Sequence, residues 1–228
     1  YIHPEHFLPS VWSNPVFAGI DWGFGTSSYT ILSLGTYLNG KFTVFYMKRF
    51  TGAEASDFQL QMNIIVEILT RFQVKICGTD FSFGVQQNDT LMRIFGPGRI
   101  QVYQHLARAK YKVEYDRKIH RWKLYRTLVM ADHINAIKRK AVVFPRWEEF
   151  GGSFAEDFTN ITAEYSETQR MVVYDHASNK TDDAFHSYLY LFLASQVAIK
   201  RPDILVPTVI GTPGQHPIFV SMDPIDQS

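Results

Sequence analysis

Two apolar runs that each end in an aspartate set the tightest limit on how this chain can fold. Phe17-Ala18-Gly19-Ile20-Asp21 and Ile76-Cys77-Gly78-Thr79-Asp80 both read as short buried strands that deliver a carboxylate at their C-terminal ends. If the two strands are neighbours at the centre of a sheet, the carboxylates stand together at one edge of an apolar layer. Burying two like charges side by side is costly unless a cation neutralises them, and divalent magnesium or manganese with oxygen ligands is the usual remedy. A third and a fourth carboxylate follow in Thr181-Asp182-Asp183, which opens the last predicted helix, where the helix dipole favours negative charge. Taken singly, Asp21 is explained as a strand-end turn residue and Asp182 as a helix N-cap. Taken in this order, the acids point to a metal-binding edge.

The periodicity supports that arrangement. Residues 16–22, 28–37 and 41–50 read as strands, and Asn39-Gly40 between the last two favours a tight hairpin because both residues tolerate positive φ. A helix is predicted over 55–72, with Phe58, Met62, Ile65, Ile68, Leu69 and Phe72 on one stripe. A buried strand over 75–79 leads into Asp80, a helix over 86–95 stops at Gly96-Pro97-Gly98, and a strand follows over 99–104. Then come a helix over 122–140, a short strand at 142–144 and a helix over 147–160. A hairpin of 161–165 with 171–174 and a final helix from Thr181 to about Lys200 complete the series. Three hairpin-joined strands followed by an α/β crossover give a mixed β-sheet, three antiparallel strands plus parallel ones, flanked by helices. That is an α/β plan of the ribonuclease H-like type. Residues 1–14 read as a linker or N-terminal arm, 15–200 as the folded domain, and the proline-punctuated 201–228 as an extended or disordered tail.

Composition removes several classes of function. With 46% hydrophobic and 20% charged residues, the chain has the profile of an ordinary soluble globular domain. No apolar run reaches the roughly 18 residues that span a bilayer. The N-terminus lacks a signal-peptide pattern, and its first residue, Tyr1, suggests a piece of something longer. The single cysteine, Cys77, lies inside an apolar run and reads as core, which leaves no disulfide framework and no cysteine-rich zinc site. The net charge of +1 conceals an asymmetry. From Arg108 to Lys140 there are 11 Lys and Arg against three acids, the profile of a surface that meets a polyanion.

Paired strand-end carboxylates holding two divalent ions about 4 Å apart can activate water and stabilise both the leaving oxygen and the charge of a phosphodiester-cleavage transition state. The chain has no nucleophile elbow, no HExxH motif and no convincing Ser-His-Asp order. Gly19-Ile20-Asp21-Trp22-Gly23, then Asp80-Phe81-Ser82-Phe83-Gly84 with Phe95-Gly96 behind it, and Asp182-Asp183 heading an apolar helix, together resemble the nuclease domain of tailed-bacteriophage terminase large subunits. Arg126 in a basic helix, Phe144-Pro145, Asn160 and Glu164-Tyr165 extend the likeness over residues 16–200. The resemblance implies a metal-dependent endonuclease that cuts concatemeric double-stranded DNA with little sequence specificity, using two Mg²⁺ or Mn²⁺ ions. It implies Asp21 and Asp80 as strand ligands and Asp182 or Asp183 as the third. It also implies as partners a terminase ATPase domain, whose GxxxxGK[ST] loop does not occur in this sequence, together with a portal and a small terminase subunit. The place of action would be the host cytoplasm, with no membrane involved. Many relatives carry a histidine just before the acidic pair, where this chain has Asn179 and Lys180; its nearest histidines are His176 and His186. Helical spacing puts Asp183 on one side with His186 and Tyr190, and Asp182 on another with Phe185 and Leu189. Asp183 is therefore the expected ligand, with Asp182 supporting it.

The stretch 107–122 interleaves Arg108, Lys110, Lys112, Arg117, Lys118 and Arg121 with aromatic residues, and it reads as a hairpin flap beside the carboxylates that guides the duplex. Lys123 and Arg126 are further candidate phosphate contacts, whereas Lys138-Arg139-Lys140 reads as a helix C-terminus. Three other readings use the same residues. One is a resolvase- or transposase-type nuclease core. Another is a DNA clamp or portal-docking module without catalysis. The third is a phosphate-cradling loop at Gly23-Phe24-Gly25-Thr26-Ser27 of the actin-like ATPase kind, for which the chain is short of the two domains required.

Overall fold

The computed structural model describes residues 14–23, 28–107, 111–168, 170–177 and 179–199. The expected tail and nearly all of the expected N-terminal arm lie outside the described residues.

Strands β1 (Phe17–Asp21), β2 (Ile31–Leu38) and β3 (Lys41–Arg49) form the expected antiparallel meander. Its tight turn uses Asn39 and Gly40 at φ 50° and 76°, the conformation such two-residue hairpins demand. The predicted helix over 55–72 divides into α1 (Ala53–Ser56) and α2 (Phe58–Arg71). Asp57 separates them because its side chain accepts a bond from Leu60 N and caps the second helix. Strand β4 (Ile76–Asp80), helix α3 (Val85–Phe95) and strand β5 (Ile100–Leu106) follow as predicted within two residues.

Two expectations need correction. The helix predicted over 122–140 begins only at Arg126, as α4 (Arg126–Lys138). Before it lie strands β6 (Val113–Asp116) and β7 (Arg121–Tyr125). Trp122 and Leu124 are buried while Arg121 and Lys123 are half-buried, so the period is two rather than 3.6. After the short strand β8 (Val142–Val143), the helix predicted over 147–160 breaks at Gly151-Gly152 into α5 (Trp147–Phe150) and α6 (Ala155–Thr159), as a glycine pair favours. Strands β9 (Thr162–Ser166) and β10 (Met171–Asp175) pair as a separate hairpin, and α7 (Asp183–Ile199) ends the described chain. No helix among the described residues is long and apolar enough to cross a membrane.

The main sheet runs β6-β7-β5-β4-β1-β2-β3-β8, with the antiparallel meander joined to parallel strands through the β1–β4 pair. Side-chain alternation decides which layer covers each face. Ala18, Ile20 and Cys77 pack with Met62, Ile65 and Leu69 of α2 and Leu91 of α3. Phe17, two residues from Gly19 and on its face, packs with α7 and α4 through Leu189, Leu193, Val129 and Met130. Helix α7 is buried nearly all round, which accounts for its lack of a polar side.

How closely α7 sits is set by two glycines. A Cβ on Gly19 would fall 2.1 Å from Ser187 O and 2.3 Å from Leu191 N, and one on Gly78 would fall 2.4 Å from Tyr190 O. Only hydrogen fits there, so the helix backbone lies directly on β1 and β4. The Ser187 hydroxyl completes the contact by donating to Gly19 O at 3.0 Å.

Candidate functional site

Asp21 and Asp80 lie two residues beyond Gly19 and Gly78, on the face that α7 covers. The parallel register pairs Gly19 with Gly78 and Ile20 with Thr79, so the next step brings the two aspartates side by side. The glycine seats lower the start of α7, and with it Asp182 and Asp183, onto that same edge. Three segments far apart in sequence thus meet through the contact the sequence pattern anticipated.

Each carboxylate has a different environment. Asp80 is held from three directions: Tyr190 Oη donates to its Oδ1 at 3.1 Å, Phe83 N donates to Oδ2 at 3.3 Å, and Asn88 Nδ2 holds its main-chain oxygen at 2.7 Å. Asn88 is itself fixed by Trp22 Nε1 at 3.0 Å. Burial raises the Asp80 carboxyl above the usual range, and the bonds from Phe83 and Tyr190 oppose that shift. Burial, followed by the charge of Asp80, keeps the Tyr190 phenol well above its ordinary range, so it stays a donor. No hydrogen bond reaches the Asp21 carboxylate among the described residues. Its carboxyl is pushed well above the usual range, first by burial, then by the charges of Asp80, Asp183 and Asp182. Asp21 therefore meets the repulsion of its acidic neighbours with no described hydrogen-bond donor to offset it.

The helix acids separate differently from the helical-wheel expectation. Asp183 accepts from Ser28 Oγ at 3.0 Å and Tyr29 N at 2.8 Å. Burial nevertheless leaves its carboxyl raised. It is Asp182 that contacts His186, whose Nε2 lies 3.0 Å from Oδ2. His176 Nε2 and Arg126 Nη2 each stand 3.5 Å from the same carboxylate. Burial alone would raise Asp182; His186, His176 and Arg126 outweigh it and hold this carboxyl well below the usual range. The wheel misplaced the pair because i+3 and i+4 share a helix face: His186 is within reach of both acids, and it takes Asp182, four residues back, whose main-chain oxygen already accepts from His186 N at 3.1 Å.

Asp182 is accordingly a neutralised carboxylate, and it carries stability. Its depressed pKa gives a contribution fully present above about pH 4 and lost progressively as the pH falls below that value. Asp182→Asn is expected to lower unfolding free energy at pH 7 by about 1.5–3 kcal/mol. The gap to the wild type should narrow in urea melts below about pH 4, and a gap independent of pH would contradict the pairing.

The basic residues are distributed more widely than a flap would place them. Arg108 and Lys110 lie outside the described residues. Strands β6 and β7 form a hairpin, but one built into the main sheet, with β5 between it and β4. Trp122 is level with Tyr103, which is level with Asp80, so the β6–β7 turn projects back from the carboxylate edge. Exposed Arg117 and Lys118 occupy that turn. Lys112 is paired with Asp132. Lys123 pairs with Asp116 at 2.7 Å. Arg121 lies 3.2 Å from the centre of the Phe81 ring and bonds Gln104. Arg126 is the described candidate that reaches the acids. The hairpin beside them is β9–β10, whose last residue, Asp175, lies 3.7 Å from Arg126.

Several contributors gave no sequence signal. Ser28, the Tyr29 amide, Tyr190 as donor to Asp80, and the buried Asp157 of α6 each act through the fold rather than through a motif. Among the described residues, no three Asp, Glu, His or Cys side chains are grouped tightly enough to enclose a metal unaided. An all-oxygen donor set of this kind still suits Mg²⁺ or Mn²⁺: Mg²⁺ normally keeps several waters and uses one or two carboxylates together with substrate phosphate oxygens. The Asp21 carboxylate, unbonded by any described residue and beside Asp80 and Asp183, meets that description.

No family model and no curated relative matches the sequence. Solved structures do match the fold. The large terminase nuclease of thermophilic phage G20c aligns with a TM-score of 0.51 and 12% identity, over 79% of this chain and 82% of that one. The same nuclease with bound cobalt aligns at 0.52 and 10% identity, over 79% and 81%. This chain has the fold of a large-terminase nuclease. The ribonuclease H-like plan expected from the element order is therefore the one the chain adopts.

Proposed function

We propose that this domain is the nuclease of a viral DNA-packaging terminase, hydrolysing phosphodiester bonds of double-stranded DNA with two divalent ions. The observation that carries this reading is the Asp21 carboxylate, to which no described residue donates a hydrogen bond, crowded by Asp80 and Asp183 at the edge beneath α7. The cobalt bound by the G20c nuclease, which shares this fold, supports a divalent metal in this domain. Asp21, Asp80 and Asp183 would hold the metals, which supply an activated water and neutralise the charge that develops on the phosphate and its leaving oxygen. Tyr190 and the Phe83 amide orient Asp80, while Ser28 and the Tyr29 amide orient Asp183. Asp182 takes the part of anchor for His186, His176 and Arg126 rather than that of ligand. Arg126, so placed, is suited to a phosphate of the bound strand. The terminase resemblance supports an ATPase domain, a portal and a small subunit as partners, and the host cytoplasm as the place of action.

A thermal-shift titration tests the metal site. Millimolar Mn²⁺ or Mg²⁺ is expected to raise the melting temperature of the wild type, because a ligand that binds only the folded state stabilises it by mass action. The rise should vanish in Asp21→Asn. A wild-type melting temperature indifferent to both metals would contradict the site.

For the DNA surface, Arg117 and Lys118 are the described candidates most exposed to solvent. The double variant Arg117→Ala, Lys118→Ala is expected to reduce the slope of log affinity against log salt by roughly 1–2, since each phosphate contact contributes about 0.9. An unchanged slope would remove the β6–β7 turn from the DNA footprint.

A further inference from the structure

Asp157 is 2% exposed, and its charge is felt at Asp21 and Asp183, yet its own carboxylate is turned to other partners. Its Oδ1 accepts from Thr181 Oγ1 at 2.7 Å, and its Oδ2 accepts from Ala184 N at 2.9 Å and from Arg49 Nη2 at 3.1 Å. Thr181 and Ala184 flank Asp182-Asp183, so this one carboxylate brackets the helix acids along the chain. Arg49 closes the other half of the bracket. Its guanidinium lies 4.8 Å from the centre of the Tyr29 ring and 5.7 Å from that of Phe154. Tyr29 is also the residue whose amide donates to Asp183 Oδ2. Both segments that fix Asp183, the first turn of α7 and the lead-in to β2, therefore hang on one ion pair, its carboxylate buried and its guanidinium partly exposed. Cohesion alone does not account for such a pair, since an ion pair reached by solvent contributes little stability by itself.

We infer that Arg49 and Asp157 are positioning residues for Asp183, holding its carboxylate where it faces Asp21 and can take a divalent cation. The inference rests on the metal-edge reading above and adds the residues that make the edge precise. Neither residue touches the reacting atoms; both act through Tyr29, Thr181 and Ala184.

The test is Mn²⁺ binding to the folded chain without DNA, measured by calorimetry, beside plasmid nicking as a function of Mn²⁺. Asp157→Asn keeps the shape but removes the charge that balances Arg49; its oxygen can still accept from Ala184 N while its amide N–H faces the Thr181 hydroxyl. Arg49→Met removes the pair from the other side and leaves the α7 bonds in place. In both, Mn²⁺ affinity is expected to fall about 10–100-fold, the usual cost of losing a partner behind a ligand. DNA affinity in EDTA should be unchanged, and the nicking rate should return toward the wild-type value at saturating Mn²⁺. Thr181→Val, which removes one neutral donor and bares no charge, should produce a smaller fall, and with Arg49→Met it decides the matter if Asp157→Asn does not fold. Wild-type Mn²⁺ affinity in Arg49→Met and Thr181→Val would overturn the inference while leaving the metal edge standing. A wild-type chain that takes no Mn²⁺ would overturn the metal edge itself, and the inference with it.

Discussion

Gly19→Val is expected to cost the domain about 3 kcal/mol or more of stability, and much of its population would unfold under conditions in which the wild type is native. Overpacking a core ordinarily costs about 1–3 kcal/mol because neighbouring side chains can shift. Here even a Cβ would meet main-chain atoms of α7 at 2.1 and 2.3 Å, which have no rotamer to adopt. The helix must lift, and its contacts from Tyr188 to Leu193 along the sheet loosen together. Against a total stability of about 5–15 kcal/mol that is a large fraction. The urea midpoint measures the effect. Any folded remainder should also bind Mn²⁺ poorly, since lifting α7 carries Asp183 away from Asp21. A wild-type midpoint would mean that α7 does not rest on β1 as described.

Asp21→Asn should separate stability from activity, moving them in opposite directions. In the metal-free protein the charge of Asp21 is disfavoured by burial and by its acidic neighbours, which is why its carboxyl is raised. A group whose folded pKa lies above the unfolded one adds stability at low pH and loses it as the pH rises through those values. At neutral pH the ionised residue is therefore a net cost, and removing the charge should raise the metal-free melting temperature, by about 2–4 °C for each kcal/mol relieved. The same substitution should lower metal-dependent cleavage by at least about 10²–10³-fold, the scale of losing one preorganised electrostatic stabiliser. Thermal melts in EDTA at pH 5 and pH 8 check the first half: the gain should be larger at pH 8. A variant that is less stable than the wild type at pH 8 would show that Asp21 is a structural residue.

The two halves of that argument were legible in the sequence to different degrees. The runs ending in Asp21 and Asp80 carried the central strand pair, because buried parallel strands are short, apolar and closed by a polar residue. Asn39-Gly40 fixed the hairpin for a reason that is entirely local. Strand β7 was read as helix because Trp122, Leu124 and Tyr125 precede a true helix without a break; only the pairing with β5 imposes the period of two. The Gly151-Gly152 interruption was visible, but nothing local says whether two glycines bend a helix or end it. At the site, positions were legible and orientations were not. Asp182 and Asp183 were found, yet His186 lies four residues from one and three from the other, and helical periodicity places both within its reach. The roles of Asp157 and Arg49 are set by partners 24 to 108 positions away and leave no pattern in the chain.

The most direct test of the central claim is nicking of supercoiled plasmid by the purified domain in Mg²⁺, Mn²⁺ or EDTA, with Asp80→Asn alongside. The account predicts open-circular and linear products with metal, intact plasmid in EDTA, and intact plasmid with Asp80→Asn under every condition while DNA binding persists. Plasmid left whole by the wild type in both metals, or cut equally well by Asp80→Asn, would contradict it.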